Sequence, residues 1–303
     1  MTRLAAGVPL SIARTSRRAA LGGLAAAALL GASCRRRAPS GGVPRRIVSI
    51  SPNTTEALFA VGAGALVVGR SRYCDHPPEV LRVPQVGGYV DPSLEKILSL
   101  TPDLVTGARG PIGTVLTDKL GAHGIATFFP PTESLAEIDA MIGELATRVG
   151  RAAEGAEVVR ASRARRAEVT ARVAGRPRPR VLLLFGLAPV SVAGPGSFAD
   201  EMLTLAGAEN AIARVAKEGG RPVSAYPTID VEQVIALDPD LILDAAMQEN
   251  ASTERIASAL HAVRAVREGH VVRIASETVL RPGPRVAEGI VELARAVHPG
   301  VGL

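Results

Sequence analysis

Leu94-Glu95-Lys96-Ile97-Leu98-Ser99-Leu100-Thr101-Pro102-Asp103-Leu104-Val105 is answered 137 positions later by Val231-Glu232-Gln233-Val234-Ile235-Ala236-Leu237-Asp238-Pro239-Asp240-Leu241-Ile242. In each stretch the apolar spacing predicts a short amphipathic helix, closed by proline and followed by an apolar run of strand type. Proline ends the helix because it lacks the amide hydrogen and clashes with the preceding turn. The same helix–turn–strand unit therefore occurs once in each half of the chain. An α/β fold of two similar lobes facing each other across a cleft accounts for this more simply than one large sheet. Glu95 and Glu232 fall at matched places on the two lobes. On spacing alone they are either a functional pair or two solvated helix-start carboxylates favoured by the helix dipole.

Outward from the repeats, the chain alternates strand and helix. Arg46 to Ile50 and Leu66 to Gly69 are strand candidates, and Thr55 to Val61 is a helix with Asn53 or Thr54 as cap. Tyr73-Cys74-Asp75-His76-Pro77-Pro78 is loop, because paired prolines suit neither helix nor inner strand. From Ser134 to Ala174 no proline interrupts a segment rich in Ala, Glu and Arg, all strong helix formers. It divides into two helices, the second from Arg151 to Val173, roughly 35 Å long at 1.5 Å per residue. A helix of that length between two α/β halves reads as a stiff spine. The expected organisation is an N-terminal lobe at 45–148, a bridging helix at 149–175 and a C-terminal lobe at 176–303.

The amino terminus reads as targeting. Ser16-Arg17-Arg18-Ala19-Ala20-Leu21 precedes a mildly apolar run to Ser33, the pattern of a twin-arginine export signal over residues 1–34. The run is shorter than the ~20 residues a permanent membrane helix needs. Cys34 follows as a lipidation candidate, with 35–44 as a tether, so contact with membrane is expected only through a lipid anchor. The net charge of +6 is carried by this end: residues 1–46 hold nine arginines and no acid. Without them 26 basic residues face 29 acidic ones, a balance of −3 that removes the electrostatic argument for nucleic acid. The two cysteines, Cys34 and Cys74, leave no internal disulfide if Cys34 is lipidated. With no tryptophan, three tyrosines and five phenylalanines, the cores must be aliphatic and each aromatic residue is informative.

Four stretches together resemble one family, the substrate-binding proteins of ABC importers for iron–siderophores, haem and cobalamin. They are Arg46 to Glu56, Val68 to Pro78, Val86 to Glu95 with its Pro-Asp-Leu ending, and Val231 to Ile242. The likeness covers about residues 45–298, and Tyr73 to Pro78 is nearest the cobalamin-binding branch. The resemblance implies two α/β lobes joined by one long rigid helix, with a metal chelate held in the cleft and little closure on binding. It implies that Glu95 and Glu232 dock onto arginines of a permease dimer served by an ATPase; carboxylates suit bidentate arginine contacts. It places Tyr73, Tyr89 and Tyr226, all three tyrosines of the chain, at ligand-facing positions, with Arg285 reaching polar substituents. Tyrosine suits a flat macrocycle because it offers a rigid plane with a polar tip. A monomer with no intrinsic cofactor is expected, exported to the periplasm or the outer face of the cytoplasmic membrane.

Alternatives remain within and outside the family. For haem, Tyr89 would serve as axial ligand; for a ferric siderophore, Arg70, Arg72, Arg109 and Arg281 are possible suppliers of positive charge. An enzyme is disfavoured: the sequence has no phosphate loop, no Gly-x-Ser-x-Gly elbow and no His/Cys metal spacing. Asp75-His76 is an acid–base pair only in sequence. A structural lipoprotein without cleft ligand is the remaining class.

Overall fold

The computed structural model describes residues 42–110, 113–213, 224–246 and 253–303. The expected signal and Cys34 lie outside these. The first lobe is built from β1 (Ile47–Ser49), α1 (Pro52–Ala60), β2 (Val67–Arg70), α2 (Leu94–Ser99), β3 (Leu104–Thr106), α3 (Gly113–Ala122) and β4 (Ala126–Phe128). Its four strands pair in parallel in the order β2-β1-β3-β4. Two long helices follow, α4 (Leu135–Arg148) and α5 (Ala152–Val173). The second lobe continues with β5 (Arg180–Leu187), β6 (Val190–Val192), α6 (Phe198–Leu205), β7 (Glu209–Asn210) and β8 (Thr228–Ile229). It ends with α7 (Val231–Leu237), β9 (Leu241–Asp244), α8 (Thr253–Ala259), α9 (Arg264–Arg267), β10 (Val271–Arg273) and α10 (Val286–Val297). Its sheet runs β10-β9-β5-β6-β8, with β7 beside β5. Two sheets of their own, one before the long helix and one after, are the two-lobe α/β fold expected from the repeat.

Parallel strands buried on both faces read as unbroken apolar runs, and alternate residues serve opposite cores. Ile47 and Leu104 enter one cluster and Val48 and Val105 another. In β5, Val181 and Leu183 join the first of these clusters, while Leu182 and Leu184 face a third on the outer side of the second sheet. The first cluster is continuous across the molecule, from Leu58 in α1 through Ile142 in α4 and Val169 in α5 to Leu203 and Ile290 in the second lobe. Apart from Phe198 the largest fully buried side chains are aliphatic or methionine, as the aromatic-poor composition requires.

The bridging helix α5 is pinned along its length. Gly155 packs so closely on Ala146 of α4 that a side chain there would overlap its methyl. Arg163 Nε and Arg166 Nη2 both donate to the buried Asp139 carboxylate of α4, at 2.7 Å. Gly150, with φ of 71°, makes the break between the two helices. At the other end of the chain's first helix, the sequence reading needs a correction. Asn53 and Thr54 do not cap α1; the helix begins at Pro52, with Ser51 as N-cap. Proline's fixed φ suits the first helical position, where its missing amide hydrogen costs nothing.

The two repeats are alike down to their turns. Ser93 Oγ accepts the Lys96 N–H at 3.3 Å, and Asp230 Oδ1 accepts the Gln233 N–H at 2.7 Å. Thr101 and Asp238, matched residues just before each proline, have φ of 44° and 42° and are the non-glycine residues with positive φ among those described. Asp103 then accepts the Arg45 and Arg46 backbone N–H groups, as Asp240 accepts that of Arg180. The Arg46 guanidinium donates to the Leu100 carbonyl and that of Arg180 to the Leu237 carbonyl, answering the free carbonyls at each helix end.

Candidate functional site

A cleft of about 650 Å³ lies between the lobes. Its first-lobe wall starts where β1 turns into α1, with Ser51, Pro52 and Asn53, and continues through Tyr73, Tyr89 and Arg109 to Glu133 before α4. Its second-lobe wall is Tyr226 and the segment Glu277 to Pro282. Tyr73, Tyr89 and Tyr226 thus meet in one cavity, the first two from neighbouring stretches of the first lobe and the third from the second lobe.

Each tyrosine is held differently. Tyr73, 46% exposed, sits in the loop after β2 with the Arg72 guanidinium 5.7 Å from its ring centre. Arg72 is itself tied to Asp91 at 2.7 Å. The Tyr89 hydroxyl donates to the Arg109 carbonyl at 3.1 Å. Gly110 makes room for that hydroxyl, since any side chain there would collide with it. Burial, then the nearby Glu133 carboxylate, holds the Tyr89 phenol above its ordinary pKa. Tyr226 stands edge-on to Phe185 at 5.5 Å and to Phe198 at 6.5 Å, and the same two causes raise its pKa strongly. All three rings are rigid planes with a hydroxyl tip.

Arg285 is not among the residues lining the cleft. Its Nε and Nη2 donate to Glu56 of α1 at 2.8 and 2.7 Å. Arg281, four residues earlier in the loop before α10, lines the cleft. It donates to Glu56 at 3.0 Å, to Asp75 at 2.6 and 3.1 Å, and to Glu277. This clasp joins α1 and the post-β2 loop of the first lobe to the second. It also occupies Asp75, whose carboxyl is held below its usual range chiefly by the Arg281 hydrogen bond. Sequence reasoning missed the clasp because its partners from the two lobes are more than 200 residues apart. A glutamate in the otherwise uncharged run Asn53-Thr54-Thr55-Glu56-Ala57-Leu58 was the available signal.

Glu95 and Glu232 lie in the first turns of α2 and α7, both exposed and away from the cleft lining. Cys74 is fully buried against the Thr55 and Ser71 hydroxyls, at 3.1 and 3.2 Å. Among the described residues no group of histidine, cysteine and carboxylate side chains has metal-site geometry, and no helix is long and apolar enough to cross a membrane.

The fold and cleft have known counterparts. Residues 47–278 match the family model described as periplasmic binding protein. The vitamin B12-binding protein of Salmonella typhimurium is 32% identical over 198 residues, covering 65% of this chain and 71% of that one. The structure of the periplasmic vitamin B12 binding protein BtuF of Vibrio cholerae superposes with a TM-score of 0.71 at 25% identity, covering 84% of this chain and 97% of that one. The periplasmic heme-binding protein RhuT from Roseiflexus sp. RS-1, in apo form, gives 0.72 at 26% identity, covering 84% and 99%. These relatives bind solutes and are not enzymes. With the sheets, the long helix and the interlobe cleft, the match over residues 47–278 establishes that the chain belongs to the family of periplasmic binding proteins.

Proposed function

We propose that the chain is the extracytoplasmic substrate-binding component of an ABC importer, and that its cargo is a corrinoid such as cobalamin. The observation that carries the reading is the convergence of Tyr73, Tyr89 and Tyr226 on one interlobe cleft. A volume of about 650 Å³ is of the size that holds small molecules, and rigid aromatic planes with polar tips suit a flat macrocycle. The names of the sequence relatives point the same way.

The charges argue against the other two ligands. Four arginines were available to a ferric siderophore. Arg70 is spent on the backbone carbonyls of Ser71, Cys74 and Val83, Arg72 on Asp91, and Arg281 on three carboxylates. Of the four, Arg109 alone has neither an ion pair nor a side-chain hydrogen bond among the described residues, and it lines the cleft. For haem, Tyr89 would have to lose its proton to iron. Its hydroxyl instead donates to the Arg109 carbonyl, a bond that coordination to iron would have to replace.

Delivery is assigned to Glu95 and Glu232, exposed on the two lobes for arginines of the permease. Residues 1–34 serve export, and Cys34 the lipid anchor. The test is calorimetric titration of the whole chain with cyanocobalamin, hemin and a ferric siderophore, each followed by absorbance. One-to-one binding of cobalamin alone is the expected result. Hemin binding with a ferric–phenolate band lost in Tyr89→Phe would move the protein to haem.

A further inference from the structure

Most charged groups around the cleft are accounted for by one another, but two are not. Arg109 and Glu133 both line it, both are exposed, and neither side chain has a hydrogen bond or ion pair among the described residues. Glu133 precedes the capping residue of α4. Its backbone N–H is held by Glu137 Oε2 at 2.7 Å, which fixes the root of the side chain while leaving the carboxylate free. The clasp opposite carries two cations, Arg281 and Arg285, against three carboxylates, Glu56, Asp75 and Glu277. Of the charged residues lining the cleft, Arg281 and Glu277 are paired with each other, which leaves Arg109 as the uncommitted cation and Glu133 as the uncommitted carboxylate among the described residues.

We propose that Glu133 is a specificity-determining residue, accepting N–H groups from an amide-bearing ligand edge and rejecting carboxylate-bearing ones, while Arg109 takes the single anionic group such a ligand can carry. This rests on the corrinoid reading and names the feature of the ligand that is read. A carboxylate accepts from an amide N–H in a charge-assisted bond, and the same carboxylate facing a ligand carboxylate leaves two like charges partly desolvated. Glu133 lines the same cavity as Tyr89 and Tyr226, and its charge adds to burial in raising both phenols. It is thus placed where a ring stacked on either would present its periphery.

The test compares the whole chain with its Glu133→Gln variant, titrated with dicyanocobinamide, whose periphery is amides, and dicyanocobyrinic acid, whose periphery is carboxylates. The wild type should prefer the amide corrinoid. Glu133→Gln should weaken that ligand by about tenfold, strengthen the carboxylate one and so shrink the preference. An unchanged preference in a folded variant overturns the assignment and leaves the corrinoid reading intact, whereas a wild type that binds neither corrinoid overturns both. A ligand-free readout comes from the phenolate absorbance, which is clean in a chain with three tyrosines and no tryptophan. In Glu133→Gln the Tyr89 and Tyr226 titrations should move down towards the ordinary range; if they do not move, Glu133 does not face the tyrosines and the proposal fails.

Discussion

Glu56 shows how much one side chain does here. It is 3% exposed, sits in the first lobe, and accepts three hydrogen bonds from two arginines of the second. Removing one partner from a buried ionic cluster costs more than the cluster contributes, because the remaining charges keep their desolvation without compensation. Glu56→Ala should therefore lower unfolding stability by about 3 kcal/mol, read from urea denaturation. A loss under about 1 kcal/mol would mean that Arg281 and Arg285 are satisfied without it. At this scale the sequence was partly readable. The tyrosines were conspicuous by their rarity, and the resemblance placed them together; the structure has all three lining one cleft, with their contact to ligand a proposal. Arg285, expected at the ligand, is paired with Glu56 and does not line the cleft; Arg109 and Arg281 were singled out only as cations for a siderophore, and Glu133 had no motif to mark it. A carboxylate's partner is set by tertiary proximity, which no local pattern encodes.

The elements were far more legible. Residues 94–105 and 231–242 announced their helix, turn and strand because proline, a capping side chain and an apolar run each act locally. The long helix Ala152–Val173 began within one residue of its expected start. The first helix was misplaced by reading Ser51-Pro52 as turn, when proline was opening it. Hidden until the structure was seen was the positive φ at Thr101 and Asp238, since neither residue type demands it. The repeated unit also carries a prediction. Glu95 and Glu232 occupy matched, exposed helix starts remote from the cleft lining, so capture and delivery should separate. Glu95→Ala combined with Glu232→Ala should leave cobalamin affinity unchanged and abolish its uptake by cells. Normal uptake by the double variant would remove the docking role.

Across the whole molecule, one aliphatic core runs from the first sheet through both long helices into the second. The helix α5 is pinned to α4, and the Glu56 clasp ties the lobes beside the cleft. Opening the lobes widely would break a packed interior and a buried ionic cluster together, so the cleft is preformed and its affinity comes from what already lines it. That makes the tyrosines the centre of the account. The measurement that tests it most directly is calorimetric titration of cobalamin into the wild-type chain and the Tyr73→Ala, Tyr226→Ala double variant, which alters one wall of the cleft in each lobe. Both rings are more than two-fifths exposed, so the variant should keep its fold, checked by thermal unfolding. The account predicts one-to-one binding to the wild type and a loss of affinity of about tenfold or more in the variant. Equal affinity in the two proteins would contradict it and place the ligand elsewhere.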